Sequence, residues 1–511
     1  MKSICIPHTE LPGTSALFAD YLYRFDRVSR FYEHDPHDPE ALRRAALAAQ
    51  IPDDRRLKLV AALRKTNGET ASLAQLELPD TLAIVTGQQV GLFSGPAYTI
   101  YKALSAVKLA RQLTAEGLRT VPVFWLATED HDFAEIQHSW VFDTRQRSAR
   151  LDSTGNGQAG QPVGGIPIRT LPAEQLREVL QGFLYADEVV GMVEDAYQPG
   201  RTFGEAFRIL LQRLMAGYGL IFFDPLEPEI RKLAAPLLHS AWERRQELGN
   251  ALVARGKDLE KAGYHAQVLF DQQTSLFFSI ENGKRQKLTG GQAPEDWSQL
   301  SPNALLRPVM QDYLLPTAAY IGGPAELAYL AQSQVLYRSL LGRMPVALPR
   351  SGFTLLDDRA RALMGRYNVS LADCFHGEHI LQERVAARLI PESLEVTFED
   401  VTSEVRNSID RLQAQLHHFD PTLGAAMQKS RSKILYQIEK NRGKAAREAL
   451  RRSSQVKESA AHLSGLVFPQ HHLQERLFSI LPFLAKHGFD LLDTLYDNVK
   501  HGCPDHQLLT L

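Results

Sequence analysis

The 511-residue sequence predicts an α/β protein: a parallel sheet flanked by helices, interrupted by two inserted β-containing modules and followed by a long helical hairpin. Three observations predict it. The run TLAIVTGQQVGLFSGPAYTIYKALSAVKLAR, from Thr81 to Arg111, reads as strand, glycine-rich loop and helix. The run VPVFWLA at 121–127 is continuously apolar and of strand length, as a parallel strand covered on both faces requires. From about residue 394, apolar residues recur every three or four positions through two long stretches, the spacing of a coiled-coil seam.

Residues 1–137 read as N-terminal helices and the first half of the sheet core. Leu17, Tyr21, Leu22 and Phe25, then Leu57, Val60 and Leu63, repeat at helical spacing and would cover the sheet that begins at Leu82. The strand Leu82, Ala83, Ile84, Val85 is expected to break at Thr86-Gly87, where glycine permits a tight turn. Gly91, Gly95 and Pro96 would keep the following loop bent, and from Ala97 onward Ile100, Leu104, Val107 and Leu109 mark a helix. Such a junction aims backbone N–H groups and a positive helix end at one spot, suited to phosphate or carboxylate. The pattern is neither a Walker A loop nor GxGxxG, and a purely structural glycine turn is the alternative. Strand, helix and strand form a βαβ unit whose ligand crevice lies beyond the strands' carboxyl ends. GQQVGLFSGP and TEDHDF both fall there.

Residues 138–200 read as a first inserted module: HSWVFDTRQRSARLD alternates like a strand pair and TGNGQAGQPVGGIPI is glycine-rich. The core continues over 201–263, with a helix from Thr202 to Ala216, a strand from Leu220 to Phe223 and helices around 228–262. A second module spans 264–304, where two alternating runs flank the hairpin turn Asn282-Gly283. The second half of the core, 305–385, carries strands Thr317 to Ile321 and Pro345 to Leu348. Residues 386–455 read as a coiled-coil arm. Val401, Val405, Ile409, Leu412 and Leu416 form one seam, Asp420-Pro421 the turn, and Leu423, Met427, Ile434 and Ile438 the returning seam. Residues 456–511 read as a helical segment packing back on the core.

Composition narrows the function classes. Hydrophobic content of 44%, charged content of 23% and a formal net charge of -2 fit an ordinary globular chain and give no footprint for nucleic acid. The basic run KNRGKAAREALRR reads as a solvated helix face. Cys5, Cys374 and Cys503 are far apart in sequence and odd in number, which predicts a reducing cytoplasm, no disulfide framework and no nucleophilic thiol. The N-terminus lacks an apolar signal core, and no run reaches membrane-span length. Cys374, His376 and His379, and His501, Cys503 and His506, supply possible metal ligands without a standard zinc spacing, so no metal site is expected at either.

Candidate chemistry gathers at the presumed strand ends. Glu129, Asp130, His131 and Asp132 surround one imidazole with acids, which favours the imidazolium if the ring faces them. His131 with Asp130 and Asp132 is the candidate catalytic set. The acids would also suit an ammonium group or Mg²⁺, and one or two of the four are expected to cap the next helix. Around them, Thr86, Gly87, Gln88, Gln89 and Glu129 are expected to bind and orient a ligand, with Gly91, Ser94, Gly95 and Pro96 offering backbone to an anion. Tyr98 and Lys102 lie one helical turn apart and would share a face. Gly322, Gly323 and Glu326 repeat the strand-glycine-helix logic as a second crevice wall. Arg350 and Ser351 follow the last strand, where arginine would clamp phosphate or pair with Asp357 or Asp358.

The runs TGQQVGLFSGPAYTIYK and PVFWLATEDHDFAEI, the stretch AYIGGPAEL at 319–327 and the helical region near 400–450 together resemble the BshC cysteine ligase family of bacillithiol synthesis. Ser94 stands where many members have threonine, and Thr128 where glycine is expected, which would narrow the floor of the site. The resemblance implies a Rossmann-like core akin to class I aminoacyl-tRNA synthetases and nucleotidyl transferases, two connecting modules, and a coiled-coil arm that makes a homodimer. It implies joining cysteine to the amine of glucosaminyl malate, with ATP and Mg²⁺ activating the carboxylate as an acyl adenylate or acyl phosphate, the adenylate favoured, and no tightly bound cofactor. The chain has GLFSGP where a synthetase HxGH would stand, and no KMSKS-like lysine pair. The alternatives are a non-catalytic nucleotide- or metabolite-binding dimer and a nucleotidyl transferase on the same fold.

Overall fold

The computed structural model describes residues 3–155, 157, 159–271, 273–288, 294–452 and 454–511. Asn156 and Gln158 of the expected first module, and Gln272 and 289–293 of the second, lie outside the described residues.

Five strands form an all-parallel sheet: β1 (Leu82–Gln89), β2 (Thr120–Ala127), β3 (Ile221–Phe223), β4 (Thr317–Gly322) and β5 (Val346–Pro349), in the order β5-β4-β1-β2-β3. Successive residues face opposite sides, as the twofold period of a strand requires. Ala83, Val85, Val121, Val123 and Trp125 enter one core, while Leu82, Ile84, Ile321 and Leu348 enter another. Burial on both faces is why these strands read as unbroken apolar runs. Helix α1 (Tyr98–Ala115) joins β1 to β2 and covers the second core with Ala106, Leu109 and Ala110. Helix α2 (Pro324–Leu340) follows β4 and packs Leu327, Leu330 and Leu336 into the first. The chain builds outward from β1 through β2 and β3, then returns to lay β4 on the other side of β1. That reversal creates a crevice at the carboxyl ends of β1 and β4.

β1 does not end at Thr86-Gly87. It continues to Gln89, with Gly87 paired to Trp125. A Cβ at Gly87 would lie 2.8 Å from the Trp125 carbonyl oxygen, so this glycine permits close approach of two strands rather than a turn. The left-handed backbone comes later, at Phe93 (φ 53°), Ser94 (φ 75°) and Gly95 (φ 65°).

The first inserted module holds the hairpin His138–Phe142 with Ser148–Asp152. The second holds Phe277–Glu281 paired with Lys284–Lys287 and Leu300–Pro302. The backbone N–H of Arg285 donates to the carbonyl of Gly160 at 2.7 Å, tying the second module to the glycine-rich loop of the first.

The chain divides into two compact units, one of residues 1–354 and 475–509, the other of 355–474 and 510–511. The expected boundaries near 385 and 456 therefore move. Helices Asp358–Tyr367, Leu371–Cys374, Glu378–Ala387 and Ser454–Val467 pack among themselves and on the arm, so they belong with it rather than with the sheet. The arm itself is α3 (Glu392–Phe419) and α4 (Pro421–Arg452), reversed at Asp420, whose carboxylate accepts the Thr422 N–H at 2.7 Å. Within this hairpin Ile409 is buried, whereas Val401, Leu412, Phe419, Leu423, Ile434 and Tyr436 are exposed. Residues 475–509 return to the sheet unit with helices Leu481–His487 and Leu491–Asn498. One feature of the sequence expectation is reversed at both chain ends. Ser3–Ile6 forms an antiparallel strand with His506–Thr510, because each is completed by a partner some five hundred residues away. No helix among the described residues is long and apolar enough to cross a membrane.

Candidate functional site

A cavity of about 650 Å³ opens at the switch between β1 and β4. Its walls are Gly87, Gln88 and Gln89 from β1, Tyr98 and Lys102 from α1, and Gly323 and Glu326 at the start of α2. Glu129, Asp130 and His131 beyond β2, and Arg350 beyond β5, complete the part foreseen from sequence.

Lys102 anchors this wall. Its Nζ donates to Gly87 O at 2.9 Å and Gln88 Oε1 at 2.8 Å, and meets Glu326 Oε2 at 2.5 Å. An ammonium has three N–H donors, and all three are spent. Lys102 therefore positions β1 and Gln88 at the cavity wall. Burial pushes its ammonium down from the ordinary lysine value, against the pull of Glu326. For Glu326 burial alone would raise the carboxyl, but Lys102, the Gly323 N–H and the Tyr320 hydroxyl outweigh it and hold it below the usual range.

Arg350 is spent differently from either expectation. Its NH1 and NH2 clamp Glu475 at 2.8 and 2.5 Å, leaving Asp357 and Asp358 out of the pairing. Its Nε is buried and has no acceptor among the described residues, and it lies 3.7 Å from where a Cβ on Gly323 would stand. That donor is available to a ligand. Arg307 donates to Tyr329 Oη at 2.8 Å and is held firmly cationic: burial would lower it, but Tyr329, Tyr320 and Glu326 outweigh burial. Arg476 reaches the cavity with no ion pair to another described residue.

On the β2 side the acids are not alone. Glu129 pairs with Arg231 at 2.7 Å, and burial raises its carboxyl against that partner. Gln89 donates to Asp130 and, at 3.0 Å, to Glu135. The His131 Nδ1 lies 3.1 Å from Arg285 NH1 and 3.8 Å from Asp130 Oδ1, so a guanidinium shares the ring with the carboxylate. Arg285 is fixed over the Phe278 ring, 3.9 Å from its centroid, and donates to Ser301 Oγ and Pro302 O. Asp132 caps helix Phe133–Ile136 and is absent from the lining, the capping role expected for one of the four acids.

Several expected ligand contacts face elsewhere. Thr86 Oγ1 donates to Ile321 O at 2.8 Å, joining β1 to β4. Gly91, Ser94, Gly95 and Pro96 are absent from the lining, because their loop is packed inward. The Phe93 N–H donates to Tyr197 Oη at 3.0 Å, and the Ala97 N–H donates to Phe478 O at 2.7 Å. The helix end expected to receive an anion is thereby occupied by protein. Gly322 accepts the Arg350 N–H, and Ser351 Oγ accepts the Lys500 N–H. Thr128 is fully buried and donates to Asp224, with Gly164 closing on it, so it does not narrow the cavity floor.

Sequence reasoning missed Arg285, Lys287, Arg307 and Arg476, which supply most of the cavity's positive charge. A signal existed for two of them. The Asn282-Gly283 turn fixes the hairpin, which puts Arg285 and Lys287, two residues apart, on one face. Arg476 has no such local signal. In all, six cationic side chains and three acidic ones line the cavity, which favours anionic ligands. Among the described residues no group of three or more His, Cys, Asp or Glu side chains is assembled for a metal ion.

Family comparisons agree with this arrangement along the whole chain. The model described as bacillithiol biosynthesis BshC, N-terminal Rossmann-like domain, matches residues 1–297 and 292–351, and that of the BshC C-terminal coiled-coil domain matches 353–511. Proteins named "Putative cysteine ligase BshC" are similar throughout. The one from Solibacter usitatus is 48% identical with 100% of both chains covered, that from Koribacter versatilis 36% with 99% of both, and that from Salinibacter ruber 31% with 98% of this chain and 97% of its own. A solved Campylobacter jejuni chain named "putative arginyl T-RNA synthetase" aligns at 8% identity over 86% of this chain and 98% of its own with a TM-score of 0.21, too loose a fit to bear on the fold. With its parallel sheet, its switch-point cavity and its helical arm matched end to end by both domain models, the chain belongs to the BshC family of bacillithiol biosynthesis.

Proposed function

We propose that the chain is an amide-forming ligase that joins the carboxylate of cysteine to the amine of glucosaminyl malate, with ATP and Mg²⁺ as co-substrates. The observation that carries this reading is the charge of the switch-point cavity, which is lined by Arg307, Arg350 and Arg476 and also by Asp130 and His131, the last two beside Arg285. A free carboxylate forms an amide only if one oxygen leaves as phosphate or nucleotide. The amine nitrogen then attacks the acyl carbon, loses one proton, and the anion departs. Fixed guanidinium groups suit the departing anion, and Asp130 suits an incoming ammonium. In this reading the anion is met by arginines rather than by the glycine loop. In this reading His131, half-exposed beside Asp130, takes the amine's proton at Nδ1, which requires the ring to exchange its contact with Arg285 NH1 for the amine.

The test is a purified-protein assay by mass spectrometry with cysteine, glucosaminyl malate and ATP. Product formation with matching nucleotide consumption supports the reading. Ligand binding without turnover would favour a non-catalytic nucleotide- or metabolite-binding dimer, and nucleotide transfer without amide formation would favour a nucleotidyl transferase. Asp130→Asn is expected to weaken the amino substrate about tenfold and spare nucleotide binding, with Arg476→Ala doing the reverse, since each removes one charge-assisted contact. His131→Ala should lower turnover about a hundredfold with little change in melting temperature. Equal loss of both ligands in all three variants, read by calorimetry, would sink the division of the cavity.

The same reading includes a cytoplasmic homodimer formed through the arm. Exposed Val401 (41%), Leu412 (49%) and Tyr436 (61%) lie along the α3–α4 hairpin and would be covered by a second copy. Val401→Glu with Leu412→Glu should give monomers by light scattering. Ile409 is the wrong target, because it is buried inside the hairpin. A double variant that keeps the dimer mass would move the interface elsewhere.

A further inference from the structure

The three cysteines are free thiols, and two of them, read from sequence as isolated, meet. Cys5 lies on the strand Ser3–Ile6, in register with Gln507, and Cys503 lies just before the strand His506–Thr510. Their Sγ atoms are 3.4 Å apart. Cys5 is exposed and Cys503 partly so, whereas Cys374 is fully buried. The pair is held by more than the strand register. The Tyr23 hydroxyl donates to Asp505 Oδ1 at 2.8 Å and accepts the His8 N–H at 2.8 Å, which binds the segment after Cys503 to the segment after Cys5.

We propose that Cys5 and Cys503 form a dithiol that low-molecular-weight disulfides oxidise to an intramolecular disulfide joining the two ends of the chain. The Cys5 sulfur, the more exposed, attacks one sulfur of RSSR after losing its proton to solvent, and RS⁻ leaves and is protonated. Cys503, deprotonated in turn, attacks the Cys5 sulfur of the mixed disulfide and expels the second RS⁻. Two protein thiols and one RSSR become one protein disulfide and two RSH. A sulfur–sulfur bond is about 2.0 Å long, so closure needs roughly 1.4 Å of approach, within reach of side-chain rotation on exposed strand ends. Burial and the adjacent thiol hold the Cys5 thiol above its ordinary value, which slows the first attack at neutral pH and calls for excess oxidant. Cys374 is an internal control. Burial pushes its thiol up to about 12 and shields it.

The full-length native protein is incubated with excess oxidised glutathione, and free thiols are counted before and after. The expected result is a fall from three to one, an intact mass lower by two hydrogens, and a Cys5–Cys503 linked peptide after non-reducing proteolysis. Cys503→Ser should instead retain one glutathione on Cys5, because the resolving thiol is gone. Both residues lie at the surface, so the serine variant is expected to keep the wild-type melting temperature. Retention of all three thiols, or a stable glutathione adduct on the wild type without the linked peptide, overturns the proposal.

Discussion

Glu475→Gln is expected to destabilise the sheet unit by about 3–5 kcal/mol in urea titrations at pH 7, the cost of leaving one partner of a buried ion pair without the other. Arg350 and Glu475 are 6% and 3% exposed in their side chains, and the carboxylate also accepts the Phe353 N–H at 3.1 Å. The glutamine keeps the volume and one acceptor but strands the guanidinium in the interior. Arg350→Met with Glu475→Gln should lose less than the two single variants together, because neither charge is then stranded. A single-variant loss below about 1 kcal/mol would show that water reaches the pair and screens it.

The same carboxyl sets an acid limit. Burial alone would raise it, but Arg350 holds it down at about 2. Its folded value is therefore below the ordinary value of about 4.3, so its stabilisation is complete above that value and is lost as pH falls toward 2. His8 and His501 act earlier. Burial lowers them to about 3 and about 4, so the unfolded chain binds their protons first and stability declines as pH falls below about 6.5. Stability of the wild type should thus begin to fall below about pH 6.5 and fall more steeply below about 4.3, and Glu475→Gln should show a smaller loss in the lower range, where Glu326 still contributes. An unchanged loss below about pH 4.3 in the variant would assign it to other carboxyls.

Lys102→Met is the second large effect, again about 3–5 kcal/mol, because Glu326 would be left buried beside Tyr320 and the Gly323 N–H without its cation. Adding Glu326→Gln should restore most of that stability. It should not restore turnover, since Gln88 and the Gly87 carbonyl lose the donor that holds them at the cavity wall. The comparison separates positioning from bulk stability. If the double variant recovers turnover along with its melting temperature, Lys102 matters to the fold alone.

Local pattern carried the sheet. The apolar runs at 82–85, 121–127, 221–223, 317–321 and 346–348 were legible because strands buried on both faces admit few other residues. The motif residues Gln88–Gln89 and Glu129–His131 could be placed at the carboxyl ends of β1 and β2 by the same reading. The arm was legible from its three-and-four spacing. Gly87 was misread because a glycine that admits a neighbouring strand and a glycine that turns the chain look alike in sequence; only the Trp125 carbonyl opposite distinguishes them.

The sequence by itself determined the parallel sheet, the two inserted modules, the helical hairpin and the neighbourhood of Asp130 and His131, because each depends on residues within one or two elements. Tertiary structure alone decided which groups meet across long separations. It gave the NH1 and NH2 groups of Arg350 to Glu475, brought Glu326 to Lys102, and turned the loop at Gly91–Pro96 inward against Phe478. It also brought Arg285 and Arg476 into the cavity and Cys5 against Cys503. A side chain's chemistry is set by its nearest charges and donors, and for Arg350 and Cys5 those neighbours lie 125 and 498 residues away.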